Sequence, residues 1–168
     1  MYYLFAYGTL RSCCGEINQR YLSKSRFVGL GYIEGFDMYL IDYYPGIVEG
    51  NGKVIGEVYE VHDLKEIDEY EGYNESGDSL YVRILTRVYF GSNRLTLDDV
   101  YVYKYNKSVR GLKRIENGDF CFGKQVFAYF LTNKGLIKRY SYNISPLNRD
   151  MVKVNDNNGN VYFAFVDR

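Results

Sequence analysis

Residues 63–70 are the one stretch of this chain whose apolar positions recur with a convincing helical period, and most of the rest reads as short strand-forming runs. A chain with so little helix must bury its apolar surface mainly through sheets. The side chains suit that demand. There are 20 Tyr and 10 Phe among 168 residues, with many β-branched neighbours and only 2 Pro. Such residues fit a pleated, half-buried surface. A chain of this length suits one domain that buries roughly two-thirds of its unfolded surface.

In order, residues 4–7 form an apolar strand, and residues 11–25 hold Ile17, Tyr21 and Leu22 at the spacing of a short helix or crossover. Residues 27–33 and 36–41 read as two strands joined across Glu34-Gly35. Tyr43-Tyr44-Pro45-Gly46 is a turn, and Asn51-Gly52 is the strongest two-residue hairpin signal in the chain. A strand over 53–61 has a candidate bulge at Gly56. Asp63 caps the helix with Glu66 in a variant capping box, and Gly72 stops it. Strands follow over 80–90 and 100–105, the second with Tyr101, Tyr103 and Tyr105 on one face. Two further hairpins are expected, 126–132 with 136–142 and 151–154 with 161–166.

Charge removes several functions. Lys and Arg total 21 and Asp and Glu total 21, with no basic run, so nothing draws the chain to nucleic acid or an anionic membrane. The apolar run at the amino end is too short for a signal peptide or a membrane span. Cys13, Cys14 and Cys121 form no disulfide framework, and with His62 as the one histidine there is no zinc-ligand spacing. Unpaired thiols of this kind suit a reducing, cytoplasmic home. Cys13 or Cys14 could serve as a nucleophile if His62 stood beside it, with buried, inert thiols as the plainer alternative.

Two stretches carry chemistry. In Tyr7-Gly8-Thr9-Leu10 a strand ends in a loop whose glycine permits close approach to backbone N–H groups, which can hold an anion or a polar carbonyl. It can equally be a plain strand end. Glu71 shares the helix stripe of Leu64 and Ile67, so it points toward the core or a cleft, at the helix end where the dipole disfavours negative charge. Both effects raise its pKa and suit it to proton transfer near neutral pH. A helix that ends sooner, or an ion pair with Arg83, is the competing reading.

The segments 5–11, Tyr44-Pro45-Gly46, 56–61, 67–73, Tyr81-Val82-Arg83 and Val102-Tyr103 together, in this order, resemble the γ-glutamylcyclotransferase-like family, which includes the γ-glutamylamine cyclotransferases and AIG2-like proteins. The resemblance covers about residues 1–120. It implies an α+β fold, a small mixed β-barrel with a few short helices, so that the single domain 1–168 divides into a core, 1–120, and a β-hairpin extension, 121–168. It also implies a reaction without metal or organic cofactor on a small γ-glutamyl compound. The substrate's own α-amine attacks its side-chain carbonyl, releasing 5-oxoproline and an amine. Glu71 would then be acid and base. Tyr7, Gly8, Thr9 and Leu10 would hold the glutamyl group, and Tyr44, Pro45, Tyr81, Arg83 and Tyr103 would line or organise the pocket. A member of the fold that binds a small molecule or a protein partner without chemistry is the alternative.

Overall fold

The computed structural model describes residues 1–167 and contains, among them, ten strands and two helices. The first sheet holds β1 (Tyr2–Ala6), β2 (Arg26–Leu40), β3 (Pro45–Val61), β4 (Tyr81–Phe90), β5 (Leu95–Tyr105) and β6 (Lys113–Ile115). Its order is β3-β1-β5-β4-β2-β6, and β2 also pairs with β3. Strand β1 runs antiparallel to β3 and parallel to β5. It is buried on both faces, which is why Leu4-Phe5-Ala6 reads as an unbroken apolar run.

Several boundaries differ from those expected. Residues 27–33 and 36–40 belong to one long strand, β2, bulged at Phe27/Gly29 and at Glu34/Phe36, and Ile41 lies just beyond it. Asn51-Gly52 makes no hairpin. It lies inside β3, where the register passes from Glu34↔Lys53 to Phe36↔Glu49 and residues 50–52 bulge opposite Gly35. Continuous pairing on either side carries the chain straight through the local turn signal. The reversal falls instead at residues 41–44, closed by the Ile41 N–H donating to the Tyr44 carbonyl at 3.0 Å. Pro45, expected in a turn, begins β3.

Helix α1 spans Gly15–Leu22 and α2 spans Lys65–Glu71. Asp63 is not the helix cap; Leu64 holds that position, and Asp63 accepts from the Lys65 N–H at 3.1 Å. At the other end, Gly72 adopts φ 67°. Tyr73 N–H then reaches Asp68 O at 2.9 Å and Gly72 N–H reaches Glu69 O at 3.2 Å. This paired arrangement is a Schellman motif. It fixes Glu71 as the last helical residue.

The second sheet comprises β7 (Val126–Thr132), β8 (Gly135–Ser141), β9 (Met151–Asn155) and β10 (Val161–Val166), in the order β8-β7-β10-β9. The two expected hairpins are therefore present, joined by a parallel β10–β7 pairing. Its apolar face shares a core with the first sheet. Phe130, Met151, Phe163 and Phe165 pack with Phe5, Leu30, Val58 and Phe90, and the Phe90 and Phe163 rings stack 3.7 Å apart. A second apolar cluster, including Leu4, Leu10, Leu22, Ile67 and Tyr103, ties both helices to the opposite face of β1. No helix among the described residues is long and apolar enough to cross a membrane.

One cysteine expectation is overturned. Cys13 and Cys121 form a disulfide across 108 residues, with Cα atoms 6.0 Å apart, and Cys14 alone remains free. Pairing at such a separation leaves no local trace in sequence. The expected reducing environment rested on unpaired thiols and loses that support.

Candidate active site

A cavity of about 250 Å³ opens where β1 ends, between the loop 7–10, the turn at 43–45 and the carboxyl end of α2. Tyr7, Gly8, Thr9, Leu10, Tyr44, Pro45, Glu71, Tyr81 and Tyr103 all line it. Arg83 lies outside. It donates to both oxygens of Asp68, at 2.7 and 2.6 Å, and it lies over the rings of Tyr73 and Tyr101. Asp68 also accepts from the Tyr103 hydroxyl at 2.5 Å. Arg83 therefore connects to the cavity wall through Asp68 and Tyr103, and the Glu71–Arg83 pair is not formed.

The loop is held rigidly from behind. Arg11 and Glu57 are almost wholly buried, with Arg11 Nε donating to Glu57 at 2.8 Å and Nη1 donating to Asp119 at 2.7 Å. Ser12 N–H and the Tyr59 hydroxyl donate to the other Glu57 oxygen, each at 2.8 Å. Asn18 Nδ2 donates to the Leu10 carbonyl at 2.7 Å. Gly8 is required by packing: a Cβ there would lie 2.9 Å from the Pro45 ring. Among the described residues no acceptor engages the N–H groups of Gly8, Thr9 and Leu10. Three donors beside a cavity make a seat for a carboxylate or an oxyanion.

Glu71 keeps some surface open to the cavity, yet its carboxyl is packed deeply enough that burial raises its pKa from 4.5 to about 8. No ion pair or hydrogen bond offsets that burial among the described residues. Burial likewise raises the hydroxyls of Tyr7 and Tyr81, so both stay protonated. Tyr7 donates to the Tyr103 carbonyl at 2.6 Å and Tyr81 to the Pro45 carbonyl at 2.7 Å. These bonds hold the two aromatic walls in place, and Glu71 is the cavity-lining carboxyl whose pKa lies near neutral pH.

Tyr43, Tyr70 and Leu80 also line the cavity and were not singled out in the sequence. Tyr70 precedes Glu71, and its hydroxyl lies 2.6 Å from Thr9 Oγ1. Its neighbour in the chain was a signal, but no local rule predicts that cross-link. The thiol alternative fails on geometry: Cys13 is in a disulfide, and His62 sits in a separate groove with Arg20 and Lys24. No cluster of three metal-ligating side chains occurs among the described residues.

Residues 4–122 match the family model described as γ-glutamyl cyclotransferase, AIG2-like. The γ-glutamylcyclotransferase family protein YtfP of Escherichia coli is 34% identical over 117 residues, covering 70% of this chain and 94% of that protein. A γ-L-glutamyl-butirosin B γ-glutamyl cyclotransferase of Niallia circulans is 40% identical over 90 residues, 51% of this chain and 56% of its own length. A crystal structure of an uncharacterized protein from Pyrococcus horikoshii aligns with a TM-score of 0.53 at 33% identity, over 71% of this chain and 90% of that one. A mouse AIG2-like protein, 23% identical, shares the fold with a TM-score of 0.55 over 69% of this chain and 86% of its own. This chain belongs to the γ-glutamylcyclotransferase, AIG2-like family.

Proposed function

We propose that the protein cleaves a γ-glutamyl amide by intramolecular cyclisation, releasing 5-oxoproline and an amine. The observation that carries this reading is the shared cavity: Glu71 and residues 8–10, whose N–H groups meet no acceptor among the described residues, line one space. Ionised Glu71 takes a proton from the substrate's α-ammonium. The freed amine attacks the side-chain carbonyl carbon, and the oxyanion that forms is met by loop N–H groups. Glu71 then returns the proton to the departing nitrogen as the oxyanion reforms the carbonyl and the C–N bond breaks, and the carboxylate so regenerated passes the second proton of the ring nitrogen to the released amine, which departs as an ammonium. The reaction balances with no metal or organic cofactor.

A five-membered ring closes within one molecule, so positioning supplies much of the rate. A carboxyl with a pKa near the working pH suits both halves of the proton transfer, typically worth about a hundredfold or more. Residues 121–168 serve as the loop's buttress in this scheme. The Ser12 hydroxyl accepts from the Phe127 N–H at 2.8 Å, and Cys13 is bonded to Cys121. Incubation with a panel of γ-glutamyl amides, followed by detection of 5-oxoproline, tests the activity. Turnover of at least one member is expected, and recovery of every compound unchanged would sink the proposal.

A further inference from the structure

A second cavity, of about 330 Å³, lies where the family-model region meets the carboxyl-terminal sheet. It shares no lining residue with the cavity at Glu71. Small-molecule sites span about 300–1,000 Å³, so its size suits a small metabolite. Ile55, Val126, Ile144 and Leu147 give it an apolar wall, and Phe122, 72% exposed, stands among its lining residues. A ring left open beside a cavity can lie over the apolar part of an occupant.

Three charged side chains, Arg11, Asp119 and Lys124, line the same space. Arg11 is 1% exposed, with Nε committed to Glu57 and Nη1 to Asp119, while Nη2 meets no acceptor among the described residues. Asp119 takes its bonds from Arg11 and from the Cys121 N–H, at 2.7 and 3.0 Å, both on Oδ1. Its Oδ2 is left open. Lys124 is exposed and enters no ion pair among the described residues. Burial raises the pKa of the Cys14 thiol, and Lys124 and Arg11 pull against it, so both cations lie near one thiol.

These charges choose the ligand. Glu57, buried behind the cavity wall, already balances Arg11. The Asp119 carboxylate and the Lys124 ammonium remain, opposite in sign and lining one space. A simple anion would be opposed by Asp119, and a simple cation by Lys124. A molecule that carries both charges answers both. We propose that this cavity binds a free α-amino acid with an apolar side chain. Lys124 and Arg11 Nη2 hold its carboxylate, Asp119 Oδ2 accepts from its ammonium, and its side chain rests on the apolar wall. The site stands whether or not the cyclotransferase reading does.

Calorimetry and the shift in unfolding temperature of the intact protein test this with L-leucine, L-methionine and L-phenylalanine. At least one should bind. For the tightest, the analogue lacking the amine and the analogue lacking the carboxylate should each bind about tenfold or more weakly, the worth of a charge-assisted hydrogen bond. Lys124→Met should weaken binding of that amino acid by about tenfold, and Phe122→Ala by about threefold. Both positions are exposed, so neither change threatens the fold. Glu71→Gln should bind as the wild type does. Binding by none of the three, an analogue that binds as tightly as its amino acid, or affinity lost in Glu71→Gln and kept in Lys124→Met overturns the proposal.

Discussion

The hydroxyl of Tyr70 lies 2.6 Å from Oγ1 of Thr9, joining the last turn of α2 to the loop that follows β1. The two halves of the site thus meet through one hydrogen bond between elements some sixty residues apart. Tyr70→Phe leaves the Thr9 hydroxyl unpaired and should lower kcat/KM by about three- to tenfold, the value of one such bond. Thr9→Val should act similarly, and the double variant should show much less than the summed loss because both remove the same contact. Steady-state kinetics of the three variants checks this.

Burial sets the pH dependence of both rate and stability. With the Glu71 pKa at about 8, kcat/KM should rise with pH through a limb near that value. Below about 4.5 the carboxyl is protonated whether the chain is folded or not. Between 4.5 and about 8 the folded chain holds a proton that the unfolded chain gives up, so stability falls as pH rises, then levels off above that range. Glu71→Gln should abolish this slope and be the more stable protein on the alkaline side. Urea unfolding of both proteins at about pH 5 and about pH 9 measures it.

Arg11 and Glu57 form a buried pair that underlies the loop. Removing one partner leaves the other charge without full compensation. Glu57→Ala should cost about 3 kcal/mol or more in unfolding free energy, far beyond the cost of losing an exposed pair such as Arg87–Asp98. Denaturant titration of Glu57→Ala and Asp98→Ala compares the two.

The Cys13–Cys121 bond closes a long loop. A Cys13→Ser/Cys121→Ser variant should lose about 2–5 kcal/mol of stability, whereas Cys14→Ser should leave it nearly unchanged. Alkylation under denaturing conditions, read by mass spectrometry, should find one free thiol before reduction and three after.

Local signals survived folding where short-range structure decided the outcome. The Leu64–Ile67–Glu71 stripe turned an acid inward, Gly72 stopped the helix, and the strand-forming runs expected at 126–132 and 136–142 paired as a hairpin. They failed where partners distant in sequence decided. Asn51-Gly52 has strong turn chemistry, yet the β2–β3 register on both sides absorbs it as a bulge. Arg83 stands opposite Tyr103 in the β4–β5 register, and that placement hands it to Asp68 rather than to Glu71. The Cys13–Cys121 bond and the Tyr70–Thr9 contact depend in the same way on where the folded chain brings distant segments.

Glu71 is assigned the movement of protons, and the loop at residues 8–10 the holding of the substrate. The rate of 5-oxoproline release by Glu71→Gln, set beside the wild type on the same γ-glutamyl amide, separates those roles most directly. A fall of about a hundredfold or more in kcat with KM little changed is the predicted result. Turnover by Glu71→Gln at the wild-type rate would contradict it.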